Sequence, residues 1–298
     1  MKGKLKEACP TCNHQQLKKV YEGPIRSAEP GSPYTDGYRV DECLKCSTIF
    51  LNPFPAAIKE LYEEGEYWKA RTDDLNKKEF VNKFIREQLV WLNQTGGSEF
   101  TGESVLDVGC GHGIFLDVIK NIAKRTAALD IDIHLKEHIE GRNHEFYTEW
   151  PGIEIEPFSR VVMFNTLEHI EDPINFLIKA KECLTKDGMV IVGVPNANDF
   201  MVDILEEYKP FFYRKGHLYY FNMESLTECL KRAGFKVVEQ KYVHQYNLMN
   251  MVGWAKAKKP QGVPDSAFDT FTENSFISNV EREGIASHIL IKAVIDTE

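Results

Sequence analysis

Two pairs of cysteines and one run of alternating glycines are the residues whose types and spacing could do chemistry. Cys9-Pro10-Thr11-Cys12 and Cys43-Leu44-Lys45-Cys46 are two C-x-x-C knuckles. Together they offer four thiolates, enough to close a tetrahedral shell around zinc and leave no position for water or substrate. A zinc site here is therefore structural. Two disulfides are the rival pairing, but the start of the chain lacks the apolar core of a secretion signal, so a reducing, cytoplasmic setting is expected. Cys110, Cys183 and Cys229 stand alone; the last two are expected to be buried, inert thiols.

The second cluster is Val105-Leu106-Asp107-Val108-Gly109-Cys110-Gly111-His112-Gly113, followed by Ile114-Phe115-Leu116. An apolar run ends in an acid, Gly109, Gly111 and Gly113 alternate with other residues, and a helical pattern begins. Such a strand, turn and helix start lets bare backbone approach a ligand closely. A dinucleotide fingerprint needs a glycine where Ile114 stands, which disfavours a nicotinamide dehydrogenase.

These residues need a scaffold. From Ser104 onward strands and helices alternate, the sign of an α/β fold with a parallel sheet covered on both faces. Strands are expected at 104–108, 126–130, 146–147, 160–165, 189–194, 236–242 and 286–294. Helices are expected at 113–124, 133–140, 173–184, 199–207 and 223–233, and residues 256–278 read as a loop or insertion. Upstream, 56–93 turns helical: Ile58, Leu61 and Tyr62 share one face, as do Phe80, Phe84, Leu89 and Leu92. The division that follows is a zinc-binding ribbon over 1–55, a helical cap over 56–97 and a main domain over 98–298.

Composition narrows the function. With 298 residues, 43% of them hydrophobic and 27% charged, the chain can bury a full core. No apolar run approaches the roughly 20 residues that span a bilayer, so membrane insertion is not expected. A net charge of −9 argues against general nucleic-acid binding, which needs a basic footprint. Nothing in the sequence signals an oligomeric state.

Ligands of open α/β sheets sit beyond the carboxyl ends of the strands. Asp130, at the end of the second main-domain strand, can accept both hydroxyls of a ribose; Asp132 is its nearest competitor, one step into the next turn. The fourth strand runs into Phe164-Asn165-Thr166-Leu167-Glu168-His169-Ile170-Glu171-Asp172-Pro173, and the fifth into Val194-Pro195-Asn196. A later stretch reads Gly216-His217-Leu218-Tyr219-Tyr220-Phe221, with Ser225-Leu226 and Ala233-Gly234-Phe235 following.

The Asp-x-Gly-x-Gly-x-Gly pattern resembles the first motif of class I S-adenosylmethionine (SAM) dependent methyltransferases. Leu167-Glu168-His169-Ile170 with Asp172-Pro173, and the two later landmarks, are similar to a methyltransferase group acting on quinone precursors, sugars and other small metabolites. The resemblance covers about residues 104–242 and implies a Rossmann-like methyltransferase sheet. It implies SAM held by Asp107, Gly109, Gly111, Gly113, Asp130 and Asn165. It associates His169 and His217 with acceptor binding and proton removal, and lets Glu168 orient a neighbour or touch the cofactor. His217, flanked by Arg214, Lys215 and aromatics, is the preferred base. Tyr62, Tyr67 and Phe211-Phe212-Tyr213 are either acceptor contacts or packing.

An N-terminal ribbon joined to such a domain looks like methyltransferases of sugar and surface-polysaccharide pathways. The group's aspartate before the fourth strand is replaced by Ser159-Arg160, which leaves the local turn chemistry open. The large C-terminal domain of zinc-containing sugar C-methyltransferases has no counterpart within the 298 residues, so O- or N-methylation is favoured over C-methylation. The expected acceptor is a small polar molecule, a sugar or polysaccharide precursor. The rivals are a lipid, a quinone precursor or an amino-acid side chain, and a non-catalytic, zinc-containing interaction module.

Overall fold

A computed structural model describes residues 3–27, 34–56, 78–260 and 265–297. Three antiparallel strands form the N-terminal ribbon: β1 (Leu17–Arg26), β2 (Tyr34–Cys43) and β3 (Ile49–Asn52). The first knuckle precedes β1, and the second spans the turn from β2 to β3. Helix α1 (Lys78–Thr95) follows. The cap residues Ile58, Leu61, Tyr62 and Tyr67 lie outside the described residues.

The main domain is a seven-stranded, Rossmann-like sheet with helices on both faces, as the alternating pattern led us to expect. Its strands are β4 (Ser104–Val108), β5 (Arg125–Leu129), β6 (Glu145–Tyr147), β7 (Phe158–Phe164), β8 (Leu184–Pro195), β10 (Phe235–Val243) and β11 (His288–Ile295). The order is β10-β11-β8-β7-β4-β5-β6; β4 to β8 run parallel and β11 is antiparallel to both its neighbours. β4 is buried along its whole length, which is why it reads as a near-continuous apolar run rather than an alternating one. Alternate residues still divide the core. Val105, Ala128, Val162 and Ile191 pack with Trp91, Phe115 and Leu116 on one face. Leu106, Ala127, Val161 and Val192 pack on the other with Leu177 and Leu226. Ile25, Val40, Phe50 and Leu51 of the ribbon join this second cluster, so ribbon and sheet share apolar packing.

Trp91 fixes α1 against the sheet. Its fully buried ring stacks on Phe164 at 5.0 Å, and Gly193 leaves room for it, since a Cβ there would lie 2.7 Å from the indole. Ser159 lies within β7 rather than in a turn before it: its hydroxyl accepts the Ser104 N–H (3.0 Å) and donates to the Ser104 carbonyl (3.2 Å), bonding both backbone groups of the first residue of β4.

The loop expected over 256–278 is corrected. Helices at Leu248–Ala257 and Thr270–Arg282 occupy both its ends. Asn247 and Asp269 cap them by accepting the backbone N–H of Asn250 and Thr272. The second helix buries only Glu273 and Val280, so no apolar stripe announced it.

Candidate active site

β4 lies at the topological switch point of the sheet, with β5 on one side and β7 on the other, where a crevice opens above the strand ends. Asp107 is buried near the end of β4. Gly109, Gly111 and Gly113 then take left-handed φ angles of 73°, 50° and 67°. A Cβ at Gly109 would lie 2.5 Å from Thr166 Oγ1, and one at Gly113 would lie 2.5 Å from Ile139 Cδ1. Thr166 donates its hydroxyl to the Val108 carbonyl (2.9 Å), fastening the chain after β7 over the glycine turn. The sequence reading missed Thr166, whose only signal is the glycine it forces opposite.

The Asp130 carboxylate accepts the N–H of Gly111 through Oδ2 (3.0 Å) and of Asp132 through Oδ1 (3.1 Å). It therefore touches the glycine turn and keeps lone pairs for ligand hydroxyls. Asp132 is fully buried and accepts the His134 N–H (2.9 Å), which makes it a cap rather than a ligand group. Burial, with Asp130's charge nearby, pushes the Asp107 carboxyl up to about 8. Burial also pushes Asp130 up to about 6, opposed by the backbone N–H groups of Asp132 and Gly111. Neither acid has an ion-pair partner among the described residues, so the pair suits a ligand with hydroxyls and positive charge. Asn165 has φ 56°, donates its N–H to the Gly193 carbonyl (2.8 Å) and is exposed at the crevice.

A second cluster lies where two loops meet. The Leu167–His169 turn after β7 is tied to the segment before β9 (Tyr219–Tyr220): Leu218 N–H donates to the Glu168 carbonyl (2.8 Å). His169 Nδ1 lies 2.6 Å from the Gly216 carbonyl, which can only accept. His169 thus carries its proton on Nδ1, leaving Nε2 with a lone pair 3.9 Å from Glu168 Oε1. His217 Nε2 is 4.0 Å from the same oxygen, and the two imidazoles meet edge to face at 4.7 Å. Both Glu168 oxygens are buried without a hydrogen-bond partner.

Burial pushes Glu168 up to about 8 and His169 down to about 4, the latter partly offset by its bond to the Gly216 carbonyl. His217 falls well below its ordinary value through burial first and the Arg214 charge second. The donor atoms of Glu168, His169 and His217 lie within 4.8 Å of one another. Arg214's positive charge acts on all three, so a metal cation there would meet like charge. The structure thus brings together His169, His217 and Glu168, which the sequence offers as acceptor-side candidates, and adds Arg214, noted there only as a flank. Phe211 and Phe212 line a cavity beside His217, while Tyr213 is buried against Tyr21 at 4.7 Å.

At the ribbon, Cys9 and Cys46 sulfurs are 3.6 Å apart and those of Cys12 and Cys43 3.4 Å apart, and all four lie within 4.8 Å. These separations exceed the roughly 2.05 Å of a disulfide and approach the ~3.8 Å edge of a tetrahedron with ~2.3 Å metal–sulfur bonds. The contact with Cys9 lowers the Cys46 thiol against its burial, while the same contact and burial raise Cys9, so the four sulfurs share their protons unequally. The donor set therefore fits a thiolate-bound ion.

Among known proteins, a chain named as a probable SAM-dependent methyltransferase from Mycolicibacterium smegmatis is 30% identical over 160 residues, 52% of this chain and 59% of that one. A ubiquinone biosynthesis O-methyltransferase from Aromatoleum aromaticum is 23% identical over 158 residues, 50% of this chain and 65% of its own. The matched stretch spans less than two thirds of either relative. The fold is like that of a Burkholderia thailandensis 1,6-didemethyltoxoflavin-N1-methyltransferase solved with S-adenosylhomocysteine (SAH). Its TM-score is 0.51 at 13% identity, covering 86% of this chain and 98% of that one. A family model described as a methyltransferase domain matches residues 75–240, more than half of the chain, and the chain belongs to that family.

Proposed function

We propose that the protein transfers a methyl group from SAM to an oxygen or nitrogen of a small polar acceptor, a sugar or polysaccharide precursor. The observation that carries the SAM site is Asp130, bonded to the Gly111 N–H beside the left-handed glycine turn and the buried Asp107. In this reading Gly109, Gly111 and Gly113 let the cofactor approach the backbone, Asp130 accepts its ribose hydroxyls, and Asp107 and Asn165 border it. SAM, when bound, supplies an electrophilic methyl whose positive charge disperses as it moves.

The residues align the acceptor and, for a hydroxyl, take its proton. His217 borders a cavity beyond the strand ends and is neutral, so it can receive that proton on a ring nitrogen. His169, held by Gly216, and the buried Glu168 orient the acceptor. Residues 1–55 form a zinc ribbon with Cys9, Cys12, Cys43 and Cys46 as structural ligands, residues 56–97 a cap and residues 98–298 the catalytic domain. The reduced thiolates of such a site fit a cytoplasmic protein. Incubation with methyl-labelled SAM and a panel of sugars, quinone precursors, lipids and peptides tests the proposal. Label should move to a sugar-class acceptor. Transfer to another class would select a rival acceptor, and absence of SAM binding would favour the interaction module.

A further inference from the structure

We propose that Arg214 anchors an anionic oxo group, a carboxylate or a phosphate, on the methyl acceptor, so that the site selects acids over their neutral counterparts. The inference rests on the methyltransferase reading above and adds a charge to the acceptor.

A small cavity of about 40 Å³ lies beyond the ends of β8 and β11, bordered by Pro195, Arg214, His217, Tyr246, Ser287 and His288. Arg214 brings a planar, positively charged guanidinium with five N–H donors. Its Nε is enclosed and without a hydrogen-bond partner, and its side chain makes no ion pair with a described residue. A buried N–H donor with no acceptor is costly unless a ligand completes it, and a planar or tetrahedral oxyanion matches the geometry of the half-buried guanidinium.

The neighbouring acids do not fill that role. Glu168 is not within ion-pair distance, and burial raises its carboxyl to about 8, which leaves it mostly protonated at neutral pH. Asp199, on the same cavity wall, gives its oxygens to the Met201 N–H (3.0 Å) and the Tyr208 hydroxyl (3.2 Å). The surrounding imidazoles are neutral: burial holds His288 down to about 3, and His217 also lies well below its ordinary value. The cavity therefore presents one unanswered positive charge in a chain of net charge −9.

The anion is assigned to the acceptor and not to SAM because Gly109, Gly111, Gly113 and Asp130 do not border this cavity. The same placement serves the reaction. An anion on Arg214 offsets the charge that depresses His217, so the imidazole gains basicity when the acceptor binds.

The test uses the full-length, zinc-loaded protein saturated with SAH, with calorimetry on pairs matched except for charge. Glucose is compared with glucuronate and with glucose 1-phosphate, and 4-hydroxybenzyl alcohol with 4-hydroxybenzoate. At least one anionic member should bind roughly tenfold or more tighter than its neutral partner, the usual size for a charge-assisted pair. Which member does so separates carboxylate from phosphate. Arg214→Met should erase the preference, Arg214→Lys should keep part of it, and SAH affinity should stay within about threefold in both. No preference in any wild-type pair overturns the proposal, and so does a preference that survives Arg214→Met. A tenfold loss of SAH affinity in Arg214→Met would assign the arginine to the cofactor and also overturn it. If that variant does not fold, the wild-type pairs decide alone. A wild-type protein that binds no SAH overturns the methyltransferase reading together with this one.

Discussion

Ile49 of the cysteine ribbon pairs with Tyr220 of the segment that carries His217 and Arg214. The Tyr220 hydroxyl accepts the Arg214 N–H (2.8 Å) and donates to the Arg214 carbonyl (3.2 Å), while Leu51 N–H donates to the Leu218 carbonyl (2.9 Å). The Arg26 N–H also donates to the Tyr213 carbonyl, and the Lys215 N–H to that of Arg26, each at 2.9 Å. The ribbon and β9 thus form one four-stranded sheet, and the ribbon braces the loop beside the proposed acceptor cavity.

Metal analysis should find about one zinc per chain, because four thiolates complete a tetrahedral site. Cys43→Ser should lower turnover more than SAH affinity, since β3 follows this knuckle and supports the His217 segment, whereas the glycine turn stands on β4. The ratio of kcat to SAH Kd measures this. Equal losses in both would show that the ribbon supports the whole sheet.

For a hydroxyl acceptor, His217→Asn should lower kcat by roughly 10²–10⁴, the size usual for a lost general base, with SAH affinity nearly unchanged. Steady-state kinetics beside calorimetry separates the two. Unchanged turnover would move the role to His169, whose Nε2 lone pair also faces Glu168.

SAH affinity should depend on pH through Asp130. Burial raises this carboxyl to about 6 in the free protein, and ribose hydroxyls bind its ionised form. Binding should therefore release protons and weaken as pH falls below about 6, by at most about tenfold per pH unit. Stability runs the other way. A raised carboxyl stabilises the free fold most below the unfolded value near 4, and that contribution is lost as pH rises through about 6. Calorimetry from pH 5 to 8 checks the first trend and thermal melts the second. SAH affinity independent of pH over that range would place the ribose elsewhere.

Trp91→Ala should cost about 3–5 kcal/mol, the range for removing a large buried aromatic ring. Its ring is fully buried, stacked on Phe164 and close against Gly193. Denaturant titration reads the loss, and a cost below about 1 kcal/mol would show that α1 is not held by this contact.

The glycine turn, the acids at the strand ends and most of the sheet were legible because buried parallel strands are apolar throughout and glycine spacing is local. The Leu167–His169 turn and the Gly216–Phe221 stretch were legible as separate motifs, but not their contact. That contact depends on β9, a strand of two residues whose partner β3 lies about 170 residues upstream in sequence. Period-2 patterning needs more residues than β9 has. Arg214 was legible only as a flank of His217 for a related reason: an arginine whose Nε is buried without a partner looks in sequence like a surface arginine. Helix Thr270–Arg282 was hidden by its exposed face, since its Asp269 cap is visible but its apolar stripe is almost absent.

Isothermal titration of the purified protein with SAH, beside Asp130→Ala and NAD as controls, tests the central claim most directly. SAH should bind with micromolar affinity, Asp130→Ala should weaken it roughly tenfold or more, and NAD should give no heat, because the turn has Ile114 where a dinucleotide needs glycine. Binding of NAD with no response to SAH would contradict the account.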